Sequence, residues 1–109
     1  MSQESEPKRE AALFAALGDE TRLRIVSQLS QNGPASLSRL REGSNVSRQA
    51  ISKHLRVMER SGLARSRRHG RETIWQLDPA KLSEVKQYLE SVSKHWDEAL
   101  ARLQRMVEG

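Results

Sequence analysis

Five side chains within residues 48–56 have the chemistry to read nucleic-acid bases: Arg48, Gln49, Ser52, Lys53 and Arg56. Arg and Lys donate to guanine edges and phosphates, Gln matches adenine, and Ser can serve several bases. On a helix these five project from one side. Ile51, Leu55 and Met58, with Ala50, recur at three- and four-residue spacing and form a core-facing stripe on the other. Ser47 is placed as an N-cap whose hydroxyl accepts a hydrogen bond from an unpaired N–H of the first turn. Gly62 can end the helix in the left-handed conformation. Taken alone, the stretch is either such a reading helix or an ordinary amphipathic helix with a solvated basic face. His54 borders the two faces, suited either to a backbone phosphate or to packing within the chain.

Charge placement separates the two. The net charge is +5, but residues 48–72 hold eight Lys/Arg against Glu59 and Glu72, so that window is +6 and the remainder −1. A basic patch on an otherwise balanced chain is the electrostatic footprint of a polyanion partner. Arg65, Arg67, Arg68 and Arg71 continue the patch beyond the helix, with His69 among them. No enzyme is expected: the three histidines fall in three different elements, without paired carboxylates or a glycine loop for phosphate. With no cysteine, disulfides and thiolate metal sites are excluded. No apolar run approaches the length of a membrane span, and Met1–Pro7 lacks the basic-then-apolar order of a secretory signal. A soluble cytoplasmic protein with no cofactor and no membrane partner is the expectation.

The elements that must position these residues follow from the rest of the chain, whose 109 residues suit one domain. Residues 1–7 read as a flexible tail and 8–109 as the domain. Lys8–Leu17 has high helix propensity, with Leu13, Phe14 and Leu17 on one face. Gly18 ends it and Asp19 can cap a second helix, Glu20 to about Gln31, with Leu23, Ile25, Val26 and Leu29 apolar. Asn32-Gly33-Pro34 stops that helix. Ser36 caps a short third helix to about Arg41, and Gly43-Ser44-Asn45-Val46 leads to Ser47: a helix-turn-helix over residues 36–62.

Beyond Gly62 the period changes. Two short runs flank His69-Gly70 as a β-hairpin over residues 63–77, with Thr73, Trp75 and Leu77 alternating inward. A hairpin directly after a reading helix is a wing, and its arginines can hold backbone phosphates or enter a minor groove. Asp78 and Pro79 open the last helix, residues 79–107, about 29 residues or roughly 43 Å. Its seam is Leu82, Val85, Leu89, Val92, Trp96, Leu100, Leu103 and Val107. A core this small cannot cover such a stripe unless the helix packs wholly inside the protomer; the expected cover is a second copy. The dimerisation residues are then Leu13, Phe14, Leu17, Leu89, Val92, Trp96, Leu100 and Leu103. Trp75 and Trp96 read as core and dimer packing, or Trp96 with Tyr88 as the lining of an effector pocket between subunits.

This order of elements resembles the ArsR-type winged-helix transcription regulators over residues 10–107. Leu17-Gly18-Asp19-Glu20-Thr21-Arg22-Leu23-Arg24-Ile25 is similar to the family's second-helix opening. Ser47 through Met58, followed by Gly62-Leu63, is similar to its recognition helix, and Gly70-Arg71 sits at its wing turn. Where the family usually has a glycine two residues before the capping Ser, this chain has Asn45, which tolerates positive φ. The resemblance also implies where a metal would sit in sensing members: on cysteines before the recognition helix, absent here, or on paired His and acids of the last helix. His95 with Glu98 are weak candidates, with Asp78 joining across a dimer, but Ala80 stands where a histidine is expected. His95-Trp96-Asp97-Glu98-Ala99-Leu100 is instead similar to a branch that lacks metal ligands.

The resulting expectation is a mostly α protein with a β-hairpin wing, ordered α-α-α-α-β-β-α, dimerising through its first and last helices. It binds double-stranded DNA at an inverted repeat and regulates transcription, as a repressor. Ser36, Ser47, Arg48, Gln49, Ser52, Lys53, His54, Arg56, Arg65, Arg67, Arg68 and Arg71 are the expected DNA contacts. The alternatives are a metal-responsive repressor, and a winged helix that docks on an acidic protein. The effector is unknown.

Overall fold

Capping side chains and glycines punctuate the chain. In a computed structural model, which describes residues 6–108, the elements are α1 (Glu6–Leu17), α2 (Glu20–Asn32), β1 (Ala35–Ser36), α3 (Leu37–Arg41), α4 (Arg48–Arg60), β2 (Ala64–His69), β3 (Glu72–Leu77) and α5 (Pro79–Glu108). Residues 1–5 of the expected tail lie outside the described residues. α1 begins at Glu6, two residues before the predicted start, because a proline in a first turn removes no intrahelical hydrogen bond. Asp19 caps α2 by accepting from the Arg22 N–H at 3.0 Å, and Ser47 caps α4 by accepting from Ala50 N–H at 3.1 Å. At the far end of α4, Gly62 takes φ +84°. Its N–H donates to Glu59 and that of Leu63 to Met58, which satisfies the last carbonyls of the helix.

One apolar cluster joins these pieces: Leu13 and Ala16 of α1, Ile25 and Leu29 of α2, Leu40, Ile51, Leu55, Met58, Leu63, Trp75 and Val85. Ile51, Leu55 and Met58 are at most 2% exposed, so the predicted stripe of α4 is the floor of the molecule's core.

Four details depart from the sequence reading. A third strand, β1, joins the hairpin, giving the order β1-β3-β2, all antiparallel. It is two residues long, too short for a period of two to register. Ser36 in it pairs with Ile74 and also caps α3, accepting from Arg39 N–H at 3.2 Å. The hairpin turn falls at Gly70-Arg71, one residue later than read, because Gly70 at φ +64° supplies the positive φ of a tight turn. In the turn before α4 it is Gly43, at φ +71°, that takes the left-handed conformation; Asn45 does not, and among the described residues no non-glycine has positive φ. Finally, Leu23 is 52% exposed rather than inward, since Ile25 and Leu29, separated by one turn, already define the buried face of α2.

α5 is 30 residues long. Only its first turns reach the protomer core, through Leu82 and Val85. Beyond them Leu89, Trp96, Leu100 and Leu103 are 51%, 63%, 54% and 56% exposed. No described helix is long and apolar enough to cross a membrane.

Candidate nucleic-acid interface

The buried stripe of α4 determines what its opposite side can do. With Ile51, Leu55 and Met58 locked inward, Arg48, Gln49, Ser52, Lys53 and Arg56 line one shallow hollow on the outer side of the helix, beside Leu37 of α3. The sequence-predicted reading residues are thus brought together on a single face. Arg48 also donates to Ser38 Oγ at 3.3 Å, bracing the two helices of the motif.

The hairpin extends this face. An open groove of about 460 Å³ runs between α4 and the sheet, lined among others by Ser36, Arg48, Ser52, Arg56, Arg68 and Arg71. Strand alternation decides which arginines reach it, because successive side chains point to opposite faces. Arg68 shares the groove with Thr73 and Trp75. Arg65, paired with Gln76, lies on the reverse of the sheet beside Leu29, Pro34 and Leu82. Arg67, two residues on, alternates to that same reverse side and is exposed near the tip. The four wing arginines, grouped by the sequence reading, are therefore split between two faces. A period-two count along residues 64–69 would have separated them.

Two acids lie within the basic groove, Glu59 and Glu72. Glu59 Oε2 accepts from Ser66 Oγ at 3.2 Å, tying the end of α4 to β2. Ser38, Arg41 and Thr73 also line this surface or the hollow next to it and were not among the expected DNA contacts. The signal for Arg41 was its place on a short exposed helix just before the turn. In that turn its Nε donates to the Val46 carbonyl at 3.4 Å.

His54 stands apart from the reading face. Its ring is turned to the opposite flank of α4, where Nδ1 lies 3.1 Å from an Arg22 guanidinium nitrogen and 3.7 Å from Asp19 Oδ2. The backbone N–H of Arg22 holds the Asp19 carboxyl below the usual carboxylate range; desolvation opposes this, and the nearby His54 and Arg22 side chains reinforce it. Of the two roles open to His54 from sequence, its placement is the intramolecular one.

The expected dimerisation residues separate as well. Leu13 is 1% exposed and belongs to the protomer core, so it is not available to a partner; it is nearly central on the inner face of α1. Phe14 and Leu17 are half-buried at the edge of that core, and Phe14 stacks at a tilt on Tyr88 of α5 with ring centroids 5.6 Å apart. Val92 is half-buried, and Leu89, Trp96, Leu100 and Leu103 remain open. His95 and Glu98 are both exposed on this distal half of α5. Among the described residues no three His, Asp or Glu side chains gather as a metal site would require.

Known proteins share this arrangement. A family model described as a helix-turn-helix domain matches residues 17–67. The chain is 33% identical over 95 residues to the HTH-type transcriptional regulator Rv2034 of Mycobacterium tuberculosis, covering 87% of this chain and 85% of that protein. It is 39% identical over 67 residues to the arsenical resistance operon repressor of Escherichia coli, covering 62% of this chain and 57% of that one. The solved structure of an ArsR-like transcriptional regulator from Rhodococcus sp. RHA1 superposes with a TM-score of 0.78 at 37% identity, over 92% of this chain and 93% of the other.

Proposed function

The chain belongs to the ArsR-type winged helix-turn-helix transcriptional regulators, and from that premise we propose that it acts as a homodimeric repressor reading an inverted-repeat operator. The observation that carries this reading is the common face of Arg48, Gln49, Ser52, Lys53 and Arg56, continued across the groove by Arg68 and Arg71. α4 enters the major groove with that face. Ser36, Ser47 and the wing arginines hold phosphates on either side, Arg65 and Arg67 from the reverse of the sheet. Phosphate contacts set the register, and Gln49 with Arg48 discriminates bases.

The dimer is supported by the open seam of Leu89, Val92, Trp96, Leu100 and Leu103 together with Phe14 and Leu17. Two copies related by a two-fold axis present two reading helices to half-sites about one helical turn apart, roughly 34–36 Å. One relative is named as an operon repressor, and repression here would follow from occupying a promoter. The site of action is the cytoplasm, where the operator is reached, and no catalytic step is assigned to any residue.

The test is binding of the full chain to a duplex selected from a random pool, measured against salt. Neutralising six or more phosphates lowers affinity on the order of a thousandfold between about 50 and 200 mM salt. A flat response, or failure to enrich any duplex, would overturn the reading and favour the alternative of a basic winged helix that docks on an acidic protein.

A further inference from the structure

Arg22 makes three contacts that no DNA-binding role explains. Its Nε donates to the Ala16 carbonyl at 2.6 Å, and one terminal nitrogen donates to the Ala15 carbonyl at 3.3 Å. The other terminal nitrogen lies 3.1 Å from His54 Nδ1. The first two close the last turn of α1, whose final carbonyls have no partner within the helix. The third crosses to α4. One planar guanidinium at the start of α2 therefore grips the end of α1 and the flank of the reading helix at once. A guanidinium only donates, so His54 Nδ1 is the acceptor in this contact when that nitrogen carries no proton; Asp19 Oδ2 lies 3.7 Å from the same atom.

Position on α4 gives this contact its meaning. At 100° per residue His54 is about 160° round the helix from Ser52, close to diametrically opposite the reading face. Ile51, Leu55 and Met58 turn the apolar side of α4 to the core, and the Arg48–Ser38 and Ser66–Glu59 hydrogen bonds tie it to α3 and β2; the Arg22 contact is its directional tie toward α1. A hydrogen bond to a charged donor is directional. The fork geometry also fixes Arg22 itself, because three bonds to Ala15, Ala16 and His54 leave the plane of the guanidinium no freedom.

We propose that Arg22 is a positioning residue for DNA reading: through His54 it sets the rotation of α4 relative to α1, and so the angle at which Arg48, Gln49 and Ser52 meet base edges. This rests on the reading of α4 as the DNA-reading helix. It reassigns His54 from a phosphate contact to the far end of a brace. It also makes α1, the helix that carries Phe14 and Leu17, the reference against which α4 is aligned.

The experiment uses the full chain, a duplex it enriches from a random pool, and an unrelated duplex of equal length, with melting curves to establish that each variant is folded at the assay temperature. Arg22→Lys keeps the charge but loses the fork; His54→Ala loses the acceptor; His54→Gln keeps an acceptor. The expected result is a loss of about tenfold in affinity for the selected duplex with Arg22→Lys and with His54→Ala, the size of one charged hydrogen bond. Affinity for the unrelated duplex stays within about twofold, and the double variant is no worse than the weaker single one, as for two residues sharing one bond. His54→Gln retains most of the wild-type preference. Parallel weakening on both duplexes with a salt slope reduced by about one would make His54 a phosphate contact and overturn the proposal. Additive losses, or unchanged preference in both variants, would overturn it too. If the wild-type chain enriches no duplex, the reading of α4 itself falls, and this inference with it.

Discussion

α4 and α5 begin alike and end differently. Each opens on a side-chain cap, Ser47 for one and Asp78 for the other, whose carboxylate accepts from Ala80 N–H at 2.9 Å. Each then carries apolar residues at three- and four-residue spacing. α4 is 13 residues long, and its stripe of Ile51, Leu55 and Met58 is fully covered by its own chain. α5 is 30 residues, roughly 45 Å at the helical rise, and leaves most of its stripe open. Periodicity states that a face needs covering; what covers it depends on whether the helix is longer than the core beneath it. The short helix frees its polar side to meet a partner. The long one offers its apolar side instead.

The largest expected effect is at the covered stripe. Leu55→Ala removes a side chain with no exposure from the centre of the core and costs about 2–5 kcal/mol, read as the urea midpoint and independent of protein concentration. A loss below about 1 kcal/mol would mean that α4 is not seated as described. The open stripe should behave in the opposite way. Leu100→Glu with Leu103→Glu places charges on the seam proposed to take a second copy and should raise the dimer dissociation constant by about a hundredfold or more, visible by sedimentation. The protomer's own fold should survive, since neither residue belongs to its core. A dimer that persists unchanged would break the comparison at its second half.

Smaller effects sharpen the polar side of α4. Gln49→Ala should cost about 1–3 kcal/mol at one base position and relax preference there, while the melting temperature stays within a degree or two of wild type. An unaltered footprint would remove Gln49 from the reading face. The smallest effect concerns a third helix start, that of α2. The Asp19 carboxyl titrates below its unfolded value of 3.8, chiefly because of the Arg22 N–H it accepts from. Its contribution is therefore present above that value and lost as pH falls through the lower folded one. Urea midpoints of wild type and Asp19→Asn should differ at neutral pH and converge in strong acid; a gap that widened in acid would contradict the cap.

Much of this was legible in the sequence, for identifiable reasons. Ser47, Asp19 and Ser36 announced helix starts because a capping hydroxyl or carboxylate acts on its own next few residues. The α4 stripe and the α5 seam showed because helical spacing repeats over several turns. Legibility ended where geometry depends on distant partners. β1 is two residues that become a strand only by meeting β3. The split of the wing arginines was within reach of a period-two count and was missed because the four were grouped by charge. Leu13 looked like a surface residue beside Phe14 and Leu17, yet α1 turns it into the core. His54 sat at a boundary between faces that only Arg22, 32 residues away, resolves.

Ser36 carries a further implication, for how the chain acquires its structure. It is at once the strand residue opposite Ile74 and the cap of α3. Pairing it closes a loop of about 38 residues, an entropic cost met before any local reward. The hairpin of β2 and β3, joined by a two-residue turn, can form early and alone; its attachment to β1 belongs to a later, non-local step. The cap of α3 is itself local, but the extended backbone that Ser36 adopts as that cap is reinforced in the same step. Wing and helix-turn-helix are therefore joined at Ser36, and peeling β3 from β1 would remove the pairing that supports the first turn of α3. Ser36 is thus the residue through which local opening of the wing would be felt by the helix-turn-helix.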